Sequence, residues 1–310
     1  MRPRLCFIFL LASSVWLCAQ AGPQGNAASL GEYVYAVPAG WTENRYPDGI
    51  VLMSPMSQTG ERCLISMWPM RPSSGDLRRD ADSAFREIFQ TYVLKNQTSG
   101  GFLIQNSITH GVSGQGWEYL IVKRGIAKPG GQWETLLGFA MVARLGNRVA
   151  VVSGLSKDPL VSTCMGELTG ANTWPKFFYS LGFKSWPAAD HTQEMRKLLS
   201  GEWIAATATA GDKITFAGNG RFANAAAAQQ YHLGTNELIT TTQAYFGNGS
   251  YTLRGNSITL TQDDKRTDHG FFRVEQESKD DGRTWADAFY LMRTSTVDGQ
   301  EYELRYKRNR

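Results

Sequence analysis

Few residues in this chain have the type and spacing that chemistry needs. The four histidines, His110, His191, His232 and His269, are scattered, and none has a partner at the spacing of a metal motif. Asp80-x-Asp82 falls at the start of a candidate helix, where the positive helix end favours carboxylates without any ion. Asp263-Asp264 and Asp280-Asp281 could act as general acid and base across a barrel mouth, but each pair sits beside Lys or Gly, and turn formation accounts for it first. The sequence contains no nucleophile elbow, zinc-protease motif, Walker A loop or dinucleotide fingerprint. The expectation is a protein that is not an enzyme and uses no cofactor and no metal.

The other candidates are aromatic. Trp203, Phe216, Tyr251, Phe272 and Tyr290 recur on short alternating segments in the last third of the chain, where they would line the interior of a small barrel. Such a lining could hold a small apolar or amphipathic ligand, and it could equally be a core filled by its own side chains. Near Tyr290 both faces of the strand are apolar, with Phe289 and Leu291 on one and Tyr290 and Met292 on the other.

The elements that position these rings begin after a change of pattern between Trp186 and Trp203. Before it, long apolar runs alternate with two helix-like segments. After it, short alternating strands are separated by Gly, Asn and Asp turns such as Gly218-Asn219-Gly220, Gly255-Asn256 and Asp281-Gly282, which suit hairpins. Roughly eight such strands predict an up-and-down antiparallel barrel. The segment 223–245, rich in Ala, Gln and Thr, breaks the alternation and is expected to be a loop or a flap.

The N-terminus carries a different signal. Arg2 and Arg4 precede the apolar run Leu5 to Leu17, and Ala19-Gln20-Ala21 offers small residues to a signal peptidase. Residues 1–21 therefore read as a secretory signal, 22–29 as a flexible lead-in, 30–186 as a first domain, 187–197 as a linker and 198–310 as the barrel. The mature chain is expected in the periplasm or outside the cell, with no membrane span after cleavage. Cleavage removes two arginines and no acid, so the formal charge falls from +4 to +2. That near-neutral balance gives no footprint for nucleic acid. Cleavage also leaves Cys63 and Cys164 in an oxidising compartment, and the sequence leaves open whether they bond.

In the first domain, Asp76 to Lys95 is a candidate helix with Leu77, Ala81, Ala84, Phe85, Ile88 and Tyr92 on one face. Strands are expected on both sides of it. Among them Leu136 to Ala143, apolar on both faces, should be central and covered on both sides. A second helix is expected at Thr173 to Leu181, with Trp174, Phe177, Phe178 and Leu181 packing on the sheet.

Two resemblances follow from these motifs. Val37-Pro38-Ala39-Gly40-Trp41, the long helix, the meander and the closing segment Trp174 to Phe183 resemble the photosystem-II extrinsic protein P superfamily and its bacterial relatives. That resemblance implies an α/β/α sandwich and a non-catalytic accessory or binding role, and transfers no functional residue. Gly201-x-Trp203 and the hairpin Phe216 to Phe222 resemble bacterial lipocalin-like domains, in which an arginine on the last strand lies over the tryptophan. Alternation here puts Tyr302, Leu304 and Tyr306 on one face and Arg305 on the other, so Arg305 is expected to face solvent. The expected fold class is α+β, an α/β/α sandwich with a mostly antiparallel sheet followed by a small antiparallel barrel. The expected function is an exported two-domain binding protein. Its partner would be a small apolar ligand in the barrel or, alternatively, an envelope protein held by the first domain.

Overall fold

The computed structural model describes residues 30–56, 62–90, 107–127, 135–156, 173–186, 192–205, 210–233, 238–278, 280–294 and 301–309. The chain divides into two compact units. The first comprises Met1–His110, Trp117–Pro187 and Ser278–Thr284; the second comprises Gly111–Gly116, Ala188–Glu277 and Trp285–Arg310.

The first unit is built on an antiparallel sheet. Its strands are β2 (Thr42–Tyr46), β3 (Gly49–Met53), β4 (Leu64–Pro72), β5 (Ser107–Ser113, of which Gly111–Ser113 is counted with the second unit), β6 (Glu118–Ala127), β7 (Thr135–Leu145) and β8 (Arg148–Ser156), in the spatial order β5-β6-β7-β8-β4-β3-β2. Residues Phe139 to Ala143 of β7 are 0–1% exposed. A strand flanked by β6 and β8 and covered on both faces has no solvated side, which is why its apolar run does not alternate.

Helix α1 (Leu77–Phe89) covers one face. Asp76 caps it by accepting from the Arg78 and Arg79 amides, and Leu77, Ala81, Ala84, Phe85 and Phe89 pack against Leu120, Val122, Ala140, Val142, Val149 and Val151. Tyr92 and the expected helix beyond Gln90 lie outside the described residues. Asp80 and Asp82 are engaged by the protein itself. The Asp80 carboxylate accepts from Ser73 Oγ (2.7 Å) and the Ser74 amide (3.0 Å), while Asp82 pairs with Arg78 and Arg124. Burial raises the Asp80 pKa, but these hydrogen bonds and the Arg71 charge outweigh it and hold the carboxyl below its ordinary value.

The other face corrects the expected α/β/α sandwich. The fold is mostly β, and this face carries no second layer of long helices among the described residues. It is covered by the eight-residue helix α2 (Thr173–Ser180) and a two-stranded ribbon of β1 (Tyr33–Val34) and β9 (Gly182–Phe183). Phe178 meets Tyr119 at 5.0 Å and Trp117 at 5.5 Å, and Phe183 meets Trp117 at 5.5 Å. The Tyr33 hydroxyl donates to the Trp68 carbonyl (2.7 Å) and accepts from the Val151 amide (3.1 Å), which ties the ribbon to two strands. Aromatic bulk thus does the work of helical length: a few rings bury as much as several helix turns of small residues. The side-chain surroundings of Trp174 lie outside the described residues. Cys63 is disulfide-bonded; Cys164 lies outside the described residues.

In the second unit, helix α3 (Thr192–Leu199) leads into eight strands: β10 (Gly201–Ala205), β11 (Ala210–Phe216), β12 (Arg221–Leu233), β13 (Leu238–Arg254), β14 (Ser257–Gln262), β15 (Thr267–Ser278), β16 (Ala286–Thr294) and β17 (Glu301–Arg308). Each pairs antiparallel with the next, and β17 pairs with β10, so the sheet closes. The segment 223–245 corrects another expectation. Its described residues, 223–233 and 238–245, are neither loop nor flap but two paired strands, laddered from Arg221↔Ser250 to Leu233↔Leu238.

Candidate functional site

The barrel is assembled from one end. Helix α3 buries Met195 and Leu199, and Gly201, at a φ of +126°, turns the chain into β10. That turn sets Trp203 inside, fully buried, with its indole N–H donating to the Leu199 carbonyl (2.7 Å). Phe289 lies 5.7 Å from Trp203, Phe216 is edge-on to Phe289 at 5.5 Å and to Tyr251 at 5.1 Å, and Tyr306 stacks 5.5 Å from Phe289. Phe222, Leu253, Ile258, Leu260, Phe272 and Leu291 complete the layer. Tyr251 anchors its end of the stack by donating to the Ala217 carbonyl (2.9 Å), and burial pushes its hydroxyl pKa up.

Arg308 closes this end. It is register partner to Trp203, its guanidinium lies 4.4 Å from the indole ring, and it donates to the carbonyls of Leu198 (2.6 Å) and Ser200 (3.1 Å). Those carbonyls end α3 and have no helical donor, so a cation is the natural cap. The arginine over the tryptophan is therefore present, but three positions past Arg305. It continues the inward face of Leu304 and Tyr306.

Four of the five rings named from sequence, Trp203, Phe216, Tyr251 and Phe272, come together as a packed floor with no more than 2% exposure. Tyr290 does not join them. Phe289 and Leu291 take the inner face, so Tyr290 lies on the outer wall, opposite Arg273 and Arg305. There the Arg273 guanidinium sits 3.9 Å from the Tyr290 ring, donates to Glu275 (2.8 Å) and forks onto Glu303. The Tyr290 hydroxyl and Arg305 both bond Glu277, and Arg305 also reaches the tyrosine oxygen (3.2 Å). Arg305 is thus paired within a half-buried network rather than directed to solvent. Burial, then the charges of Glu275 and Glu277, push the Tyr290 pKa well up, so the phenol is a hydrogen-bond donor and not a base.

The inner wall above the floor carries polar groups that sequence reading missed: the ion pair Arg293–Asp268 (3.0 Å), set inward by register with Gly270 and Leu260, and Asn224. Phe222 pairs with Phe216, and two residues on, Asn224 pairs with Ile214 on one side and Gly247 on the other. Cross-strand partners share a face, and Ile214 is core, so Asn224 faces the barrel interior. Its Oδ1 is buried with no hydrogen-bond partner. Gly247 supplies no side chain opposite it. The available signal was an Asn two places after a core Phe, but the alanines that follow hid the strand.

The scattered candidates remain apart. His110 meets Glu118 (2.7 Å) and His269 meets Thr259 (3.0 Å); His191 and the side chain of His232 lie outside the described residues. Asp280 accepts from Ser278, Arg283 and Thr284 and so holds its own turn, which lowers its pKa. Asp264 bonds Arg266, and Asp263 pairs with Arg221. Among the described residues no group of three or more His, Cys, Asp or Glu could hold a metal ion, and no helix is long and apolar enough to cross a membrane. No known protein family matches the chain, and no curated protein matches it.

Proposed function

We propose that this is an exported, non-catalytic binding protein whose barrel holds a small amphipathic molecule above the aromatic floor, with a hydrogen-bond donor on the ligand meeting Asn224. The observation that carries the reading is the buried Asn224 Oδ1, which accepts no hydrogen bond, above the aromatic floor on an inner wall whose other polar groups, such as Arg293 and Asp268 (3.0 Å apart), pair with each other. An acceptor left in that state costs about 1–3 kcal/mol, and a donor brought by a ligand recovers it. The floor supports the same reading from below. Because Trp203, Phe216, Phe289 and Arg308 seal the α3 end, a ligand has to enter from the end where β10–β11, β12–β13, β14–β15 and β16–β17 are joined.

The leader pattern in residues 1–21 and the disulfide at Cys63 support an oxidising, extracytoplasmic location. The likeness to lipocalin-like barrels, carried by Gly201-x-Trp203 and the arginine over the tryptophan, agrees with a carrier rather than a catalyst. The test is mass spectrometry of protein purified without detergent from its native envelope fraction. A stoichiometric amphipathic compound released on denaturation supports the proposal, whereas clean protein that also takes up nothing from a total lipid extract contradicts it.

A further inference from the structure

We propose that the free edge of β13 pairs with the same edge of a second copy of the chain, forming a two-fold dimer through a continuous β-ribbon. The β11–β12 ladder ends at Ala210↔Ala228, and β14 first meets β13 at Gly249. The Asn248 carbonyl accepts from the Asp263 amide (2.8 Å), so residues 238–247 of β13 are bonded on one side only, to β12, among the described residues. At about 3.4 Å per residue the edge is roughly 35 Å long. Free edges are normally blunted by lysines, prolines or bulges. This one has none. From residue 222 to residue 253 the only Asp, Glu, Lys or Arg is Glu237, there is no proline, and the β12–β13 register runs unbroken.

The occupant follows from symmetry and charge. An antiparallel edge is complementary to itself under a two-fold axis, because each free N–H and C=O meets its counterpart in the copy. An edge without charge brings no repulsion to that meeting. The seam would carry on the order of ten main-chain hydrogen bonds, the number found in a typical specific interface. This inference is independent of what the barrel binds.

Sedimentation velocity of the mature chain across low to high micromolar concentration tests it, with amide hydrogen exchange read at the same concentrations. The expected result is a monomer–dimer equilibrium in which protection of residues 238–247 rises with concentration. Thr240→Lys with Thr242→Lys puts four ammonium groups along one seam and should weaken the dimer on the order of 100-fold. Thr252→Lys, an exposed position past the free stretch and paired to Thr259, should leave it unchanged. A chain monomeric at every concentration, or a dimer in which residues 238–247 exchange without protection, overturns the proposal. So does a double-lysine variant that dimerises as well as the parent. Exchange in the unsubstituted chain answers the question even if the lysine variant does not fold.

Discussion

Replacing Arg273 by Met should destabilise the barrel by about 3–5 kcal/mol at pH 7, the cost of breaking a buried ion pair by removing one partner. The Arg273 side chain is 8% exposed, and the carboxylates it bonds, Glu275 and Glu303, are 5% and 11% exposed. Methionine keeps much of the aliphatic length, so the loss is of charge and hydrogen bonds rather than of volume. It also removes the cation stacked on Tyr290, worth up to about 2 kcal/mol when desolvated. Urea denaturation at pH 7 measures this. With a slope of about 2 kcal/mol/M the midpoint should fall by about 1.5–2.5 M at pH 7. The triple variant with Glu275→Gln and Glu303→Gln should recover most of the loss. A shift under about 0.5 M for the single variant, or a triple variant no more stable than the single one, would refute the reasoning.

Other outcomes follow from the same geometry. Trp203→Ala should cost about 3–5 kcal/mol by opening a void in the floor, whereas Arg308→Met should cost less because it removes a cap and leaves the rings in place; chemical denaturation ranks the two. Gly154→Ala should cost about 1–3 kcal/mol, since an added Cβ would stand 1.9 Å from the Phe139 ring in a fully packed strand pair, and a melting temperature unchanged from the parent would contradict that contact. Asp80 has a lowered folded pKa, so its contribution is present above the ordinary carboxyl pKa and is lost as pH falls through the lower folded value. Asp80→Asn should accordingly lose stability at pH 7 and differ little from the parent once the medium is acidic enough to protonate the native carboxyl, a comparison that denaturation at the two pH values makes.

Much of the barrel was legible because its turns carry residues that tolerate positive φ. Gly220, Gly255 and Gly282 all have it, at the reversals where alternation restarts. The β12–β13 hairpin was not legible because alanine, threonine and glutamine give no contrast between faces, and a strand without contrast reads as a loop. Tyr290 went to the wrong face for the opposite reason. In ADAFYLMRT both faces are apolar, and only pairing with Arg273 and Arg305 assigns the tyrosine outward. The first unit shows the limit of local pattern more sharply. The apolar face of α1 could be read directly, but whether the second face of the sheet receives a helical layer depends on long-range contacts such as Tyr33 with Val151, which no local period encodes. Asn224 was missed because an orphaned acceptor is a property of neighbours, not of sequence.

Calorimetric titration with two matched probes tests the central claim, that the barrel takes an amphipathic ligand through Asn224. 1-Dodecanol can donate a hydrogen bond to Oδ1, whereas methyl dodecyl ether cannot. The alcohol should bind about 10-fold more tightly, the equivalent of one buried hydrogen bond, and the preference should vanish in Asn224→Leu while the ether binds that variant as well as it binds the parent. If neither probe binds, or both bind the parent equally, Asn224 does not serve a ligand in this barrel.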